Sequence, residues 1–136
     1  MKKQKLNLII VIIWMLIIFI MSSFNSTQSS NQSNFIVDII ANIFNITNTN
    51  TLSIIIRKLA HYTEYLILGI LVINLNNNKN KGLYLSMIVC LLYAISDELH
   101  QSFVPGRSCQ LVDVTIDFIG ALTGIFIYKL IKGNST

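Results

Sequence analysis

The chain has few charged residues: Asp, Glu, Lys and Arg together make up 12% of its 136 residues, whereas 53% are hydrophobic. Its mean hydropathy of +0.63 is far from the balance of a soluble domain. The scarcity of charge therefore excludes an ordinary soluble globular domain. The composition predicts one small integral membrane domain.

The chain also has only two cysteines and lacks two common hydrolase motifs. The two cysteines, Cys90 in an apolar run and Cys109 in a polar connection, form no C-x-x-C and lack metal-ligand spacing. A disulfide is not expected, because Cys90 should lie near the middle of the membrane. Neither H-E-x-x-H nor G-x-S-x-G occurs, which excludes the hydrolase classes that these motifs mark.

The net charge of +4 comes from lysines that flank apolar runs and do not form one basic face. Positive-inside topology explains such lysines better than nucleic-acid binding does, so no nucleic-acid partner is expected. The lysines assigned to the cytoplasm are Lys2, Lys3, Lys5, Lys79, Lys81, Lys129 and Lys132.

Four apolar runs are each close to the roughly 20 residues that cross a hydrocarbon core. They cover about 6–24, 56–75, 83–102 and 111–130. The fold class predicted is an all-α membrane protein, a bundle of four transmembrane helices in one domain of residues 1–136. The lysines place both termini in the cytoplasm and make the chain a multi-pass protein of the cell membrane.

The first run has a second interpretation as a signal peptide, since it has a basic start, an apolar core and small residues after it. No A-x-A-like cleavage site follows. Cleavage would also leave three helices with termini on opposite sides of the membrane. An uncleaved helix is therefore favoured.

An extracytoplasmic loop of about 25–50 is predicted between the first two helices. In its middle, apolar residues recur at helical spacing, with polar residues on the other side, which is typical of an amphipathic helix lying on a membrane. A simple cap over the bundle is the alternative. The apolar residues are Phe35, Ile36, Ile39, Ile40, Ile43 and Phe44, and the polar ones are Asp38, Asn42 and Asn45.

Five of the six carboxylates, both histidines and both arginines fall in three short segments, each at one end of an apolar run. Counting about 1.5 Å per residue along each helix brings the three segments to one layer in the outer leaflet. Spacings of three and four residues give each helix one polar stripe. Charges inside a bilayer are costly and usually functional, so we expect a site where the stripes meet. The candidate catalytic residues are His61, Glu64, Asp97, His100, Asp113 and Asp117, and the candidate ligand-binding residues are Arg57, Lys58, Tyr65, Glu98, Gln101 and Arg107.

The last apolar run carries a packing signal. Asp113 and Asp117 share one helical face with Gly120 and Gly124, which form a G-x-x-x-G motif that permits close backbone approach. Both carboxylates are therefore predicted to point into the bundle.

The chain's single proline, Pro105, precedes Gly106 and predicts a turn between the third and fourth apolar runs. Such a turn would fold Arg107 back over the polar layer. A guanidinium there could clamp a carboxylate or hold a phosphate.

These residues, taken together and in order over about 10–130, resemble the signature of the VanZ-like family. The resemblance implies a small multi-helix membrane protein of the cell envelope, of a family found mainly in Gram-positive bacteria. The founding member lowers susceptibility to the glycopeptide antibiotic teicoplanin, so the resemblance implies a location and a resistance phenotype and leaves the chemistry open. The residues that carry it are Arg57, Lys58, His61, Glu64, Tyr65, Ser96, Asp97, Glu98, His100, Gln101, Phe103, Pro105, Gly106, Arg107, Asp113, Asp117 and Gly120.

Three functions of the polar layer stay open at this point. It could be a structural ion-pair network that sets helix register. It could be an enzyme site for a lipid-linked substrate, in which histidines act as acid and base, carboxylates orient them or bind a divalent cation, and arginines hold a phosphate. It could be a binding site for an envelope lipid head group or a lipid-linked precursor, which we favour. The number of ionisable groups argues against the purely structural network, because setting the register of the helices requires fewer of them. No metal or cofactor is specified by the sequence.

Overall fold

The computed structural model describes residues 2–24, 26–44, 48–76, 81–107 and 109–133. Within these ranges all regular structure is helical, which confirms the all-α prediction. The helices are α1 (Lys2–Ser22), α2 (Ser26–Phe44), α3 (Thr49–Leu75), α4 (Lys81–Gln101) and α5 (Leu111–Gly133).

Three of these helices, α1, α4 and α5, are long and apolar enough to cross a membrane, as judged by length and composition. They agree with the predicted runs 6–24, 83–102 and 111–130 to within a few residues at each end. Helix α3 is outside this group, because Lys58, His61 and Glu64 lower the hydropathy of its first half. The fourth crossing therefore stays a prediction.

Helix α3 begins earlier than its apolar run. Asn48 caps it, since its side-chain oxygen accepts a hydrogen bond of 3.2 Å from the Thr51 backbone N–H. Its 27 residues correspond to about 40 Å of helix at 1.5 Å per residue, more than a hydrocarbon core of about 30 Å. The additional turns at its beginning are the part against which α2 packs.

A helix does form between the first two apolar runs, and it is longer than the short segment expected there. Among the described helices, α2 packs only against α3. Val37 is buried in that contact, whereas Phe35 and Ile43 are 72% and 67% exposed. Helix α2 thus covers α3 and not the bundle as a whole, and its position on a membrane surface remains a prediction.

The closest packing joins α3 and α5 through glycines. A Cβ on Gly124 would lie 2.0 Å from the Leu66 carbonyl oxygen, and one on Gly120 would lie 2.4 Å from that of Tyr62. Gly69 of α3 makes an equally close approach to the α5 backbone. The G-x-x-x-G prediction of close backbone contact is confirmed, and the partner is α3.

Helix α1 belongs to the bundle. Its Trp14 indole N–H donates a 2.9 Å hydrogen bond to the backbone carbonyl of Glu64, and its Met15 carbonyl accepts one of 2.5 Å from the Tyr93 hydroxyl. Val11 and Ile18 enter the apolar core. Residues of α3, α4 and α5 complete that core: Tyr65, Leu68, Val72, Ile73, Cys90, Ala94, Ala121 and Ile125.

Lysines from three helices meet at the bundle end where α1 and α4 begin and α5 ends. Lys3, Lys81 and Lys132 line an open cleft of about 570 Å³ there, together with Asn7 and Asn74. Lys79 is outside the described residues. Chain direction places the polar segments of the sequence at the other end of the bundle.

Candidate functional site

The polar layer forms where α3 and α5 begin and α4 ends. Because α4 runs antiparallel to the other two helices, its last turns meet the first turns of α5 and the first half of α3. The predicted site residues gather at this end. Tyr65, Asp97, Glu98, Gln101 and Asp117 are buried, and Arg57, Lys58, His61, Glu64, His100, Arg107 and Asp113 are half-buried.

Three of these side chains form a compact group, which we call the His61–Asp97–Asp117 cluster. Each offers one atom able to ligate a cation, and the three atoms lie within 4.8 Å of one another. His61 Nδ1 is 3.6 Å from Asp117 Oδ1. Asp97 is 3% exposed and Asp117 is 0% exposed. Three different helices therefore bring an imidazole and two carboxylates to one buried point.

Several polar atoms of this cluster have no hydrogen-bond partner among the described residues: His61 Nδ1, Asp97 Oδ1 and both carboxylate oxygens of Asp117. The other Asp97 oxygen accepts a hydrogen bond of 3.3 Å from Gln101 Nε2. The Tyr65 hydroxyl also lacks a hydrogen-bond partner in the described part of the chain. Buried polar atoms are nearly always satisfied in folded proteins, so such a group requires an explanation.

Helix packing accounts for the position of Asp117. It lies one turn before Gly120 on the face that meets α3, and the glycines bring that face against the α3 backbone. Asp117 is thereby pressed towards His61, which is one residue before the Tyr62 carbonyl that Gly120 contacts. The G-x-x-x-G packing and the cluster are thus parts of the same contact.

Lys58 lies at the polar end of the bundle, unlike Lys3, Lys81 and Lys132 at the other end. The structure pairs it with Asp113 in a salt bridge between α3 and α5. Both side chains remain partly exposed, 34% and 23%. This pair is an ordinary interhelical ion pair at the rim of the polar layer.

The connection between α4 and α5 folds back as predicted. Gly106 has a positive φ of 78°, and the Arg107 N–H donates a 3.1 Å hydrogen bond to the Val104 carbonyl, as in a turn with Pro and Gly at its centre. Arg107 then interacts electrostatically with the buried carboxylates of α4. Burial, followed by the nearby Arg57 guanidinium, lowers the pKa of Arg107.

Glu98 and His100 have different surroundings from the cluster. One Glu98 carboxylate oxygen accepts a hydrogen bond of 2.6 Å from the Gln110 backbone N–H, which fastens the connection to α4. The His100 ring stacks on Phe19 at 4.3 Å between ring centroids, and its Nε2 is 3.1 Å from the Ser23 hydroxyl oxygen. His100 is therefore held against α1, and the structure does not bring both histidines into one cluster.

Comparison with known proteins adds the family. The family model described as VanZ/LLP1 matches residues 7–132, nearly the whole chain. The chain belongs to the VanZ/LLP1 family. Neither a curated protein nor a solved structure matches it. The polar layer lies within the matched region, so its residues belong to the VanZ/LLP1 domain itself.

Sequence reasoning missed the contribution of α1 to the polar layer of this VanZ/LLP1 protein. Ser22 is buried beside Asp97, and Phe19 and Ser23 hold His100. The only available signal was the position of these residues at the end of the first apolar run, which by count reaches the same layer. Chemically, the site offers buried acceptors, one imidazole and guanidinium groups at its edge. Such a set can hold a cation, an anionic head group, or both.

Proposed function

We propose that this VanZ/LLP1 protein is a multi-pass membrane protein of the cell envelope that binds the polar head group of an envelope lipid or another amphiphile at the outer leaflet. By binding that ligand, the protein would lower the susceptibility of the cell to glycopeptide antibiotics such as teicoplanin. The observation that carries the proposal is Asp117, which is fully buried with no hydrogen-bond partner for either carboxylate oxygen among the described residues.

A purely structural network explains this observation poorly. An ion pair that sets helix register needs only a salt bridge, and Lys58 with Asp113 is such a pair. Asp117 and Asp97 are more deeply buried, yet neither Asp117 oxygen has a hydrogen-bond partner among the described residues, and only one Asp97 oxygen has one. A buried polar group without a hydrogen-bond partner costs about 1–3 kcal/mol, so the unpartnered oxygens of Asp117 favour a ligand over a scaffold role.

The two arginines near the His61–Asp97–Asp117 cluster support a head group that carries phosphate. Arg107 is half-buried in the connection above the cluster, close enough to Arg57 for the two guanidiniums to repel each other. An anion between two guanidiniums relieves such repulsion, and guanidinium geometry suits bidentate phosphate binding.

Lipid mass spectrometry on the purified full-length protein tests the proposal. We expect an intact envelope lipid to copurify with the wild-type protein and with Asp38→Asn, a control that removes an exposed carboxylate outside the site. Asp117→Asn and Arg107→Gln should lose that lipid. Equal lipid content in all four proteins would show that the lipid is retained non-specifically through detergent extraction, which would contradict the proposal.

A second candidate function is an enzyme that acts on a lipid-linked substrate. The 3.6 Å separation of His61 Nδ1 and Asp117 Oδ1 favours it, because a carboxylate beside an imidazole can orient a general base. A changed lipid product in membranes with the wild-type protein, absent with His61→Gln, would support this function. Intact copurified lipid without any product supports binding alone.

A further inference from the structure

We infer that the His61–Asp97–Asp117 cluster is a binding site for a divalent transition-metal cation, of which Zn²⁺ and Mn²⁺ are the best matches. The inference concerns the same site as the proposed function, and its use in head-group binding rests on that function. Metal binding itself rests only on the cluster.

The first support is the arrangement of donors. One imidazole nitrogen and two carboxylate oxygens converge from three helices within 4.8 Å of one another. A zinc ion about 2.0–2.2 Å from each ligand would hold the ligand atoms about 3.5 Å apart. The His61–Asp117 pair, at 3.6 Å, already has that spacing. The Asp97 oxygen is within 4.8 Å of both atoms, so a small side-chain movement would complete the site.

The second support is that the donor atoms have no competing partners. His61 Nδ1, Asp97 Oδ1 and both Asp117 oxygens lack hydrogen bonds within the described part of the chain. Asp117 is 0% exposed, so bulk water does not satisfy its oxygens. A cation replaces the missing partners, and it is a better partner for carboxylate oxygens than the apolar core around them.

The third support is charge balance. The polar layer as described holds five carboxyl groups and three basic side chains, so with all eight ionised it has a formal excess of two negative charges. One divalent cation cancels that excess. It would also add positive charge beside the Arg57 and Arg107 guanidiniums, which favours binding of an anionic head group. The carboxylates are Glu64, Asp97, Glu98, Asp113 and Asp117, and the cations are Arg57, Lys58 and Arg107.

The donor set indicates the class of metal. Imidazole with carboxylates suits Zn²⁺ and Mn²⁺, whereas the absence of a thiolate ligand in the cluster disfavours the softest ions. Three protein ligands leave at least one coordination position for water or a phosphate oxygen. The buried Tyr65 hydroxyl has no hydrogen-bond partner in the described part of the chain, and a hydrogen bond from it would orient a ligating carboxylate.

The test is a metal titration of the full-length protein in detergent after chelation. We expect wild-type protein to bind about one Zn²⁺ or Mn²⁺ per chain, and the affinity to fall about tenfold or more in Asp117→Asn and His61→Gln. Asp113→Asn is the matched control, because it removes a carboxylate from the same layer without touching the cluster. If Asp113→Asn weakens binding as much as Asp117→Asn, the layer only attracts counterions and the inference is overturned.

Co²⁺ spectroscopy on the wild-type protein keeps the test independent of variant folding. A bound Co²⁺ in a site of low coordination number should give visible absorption that Zn²⁺ abolishes by competition. No such absorption, together with no stoichiometric metal, would overturn the inference. Lipid that copurifies equally with metal-free protein would then leave the proposed head-group function standing. Metal binding without any copurified lipid would support the metal site and contradict the head-group function.

Discussion

The two ends of the bundle both carry many ionisable residues, and they differ in how those residues meet solvent. At the end where α1 and α4 begin, Lys3, Lys81 and Lys132 are exposed around an open cleft. At the other end, charges of both signs lie together, and Asp97 and Asp117 are buried. A charge that reaches water costs little, so exposed lysines require no further explanation. An ionisable group buried away from water is costly, so the buried carboxyl groups are the better indication of a functional site.

The comparison also separates two kinds of residue within the polar end. Lys58 and Asp113 satisfy each other and remain partly exposed. Asp117 is fully buried beside His61, and neither of its oxygens has a hydrogen-bond partner among the described residues. Charge alone does not distinguish Asp113 from Asp117. Their burial and their hydrogen-bond partners do. The same criterion separates His61 from His100, which is satisfied by contacts with α1.

The orientation of the two ends can be tested with an all-or-none measurement. In a Cys109→Ser background, Ser30→Cys should react with an impermeant thiol reagent in intact cells and Asn78→Cys should not. The reason is that the positive-inside rule predicts a cytoplasmic location for the lysine-rich segments. Asn78 and the Ser30 side chain lie outside the described residues, and the prediction rests on topology. Labelling of Asn78→Cys would place the polar layer at the cytoplasmic leaflet.

The close contact between α3 and α5 should be disrupted by one larger side chain at a contacting glycine. Gly124→Val places atoms against the Leu66 carbonyl, where even a Cβ would be 2.0 Å away. We expect a loss of about 3 kcal/mol or more in stability, measured as detergent melting temperature and yield of folded protein. Phe126→Leu, on an exposed part of the same helix, is the control and should change little. Normal melting of Gly124→Val would mean that the α3–α5 approach is looser than described.

Asp117→Asn and Glu64→Gln test whether the polar end is a scaffold or a site, since each removes a charge while retaining volume and most hydrogen-bonding capacity. In a scaffold, each variant should lose a few kcal/mol of stability through a broken buried pair. In a binding site, melting should change little while any protection against a glycopeptide disappears. Melting temperature and antibiotic susceptibility are measured side by side, with Lys132→Gln as the control from the lysine end. Variants that melt normally and still protect fully would refute a functional role for these two carboxylates.

The smallest effect is expected at the rim. Lys58→Gln and Asp113→Asn should each change stability by less than about 1 kcal/mol, because partly exposed ion pairs contribute little. A double-mutant cycle on melting gives the coupling energy directly. Coupling much above this range would show that the Lys58–Asp113 pair belongs with the buried cluster and would weaken the distinction between rim and site.

Residue pattern alone predicted most of the elements and the end at which the polar groups collect. The lengths of the apolar runs correspond to α1, α4 and α5, since a helix rises by a constant amount per residue. The Pro105–Gly106 turn and the G-x-x-x-G contact were also predictable, because both follow from local backbone sterics. The early start of α3 was not, since its first turns are polar and its contact with α2 lies outside the apolar run.

Only the tertiary structure decided which polar groups meet. Helical spacing puts His100 and Gln101 on the same side of α4 as Asp97. Gln101 donates a hydrogen bond to Asp97, whereas the His100 ring stacks on Phe19 of α1. Helical phase assigns a residue to a face and leaves its neighbour undetermined. That neighbour depends on how adjacent helices are rotated and offset, and for α3 and α5 the glycine contact sets both. The sequence by itself determined that charge would gather at one end of this membrane protein, and packing decided that His61, Asp97 and Asp117 would share its buried centre.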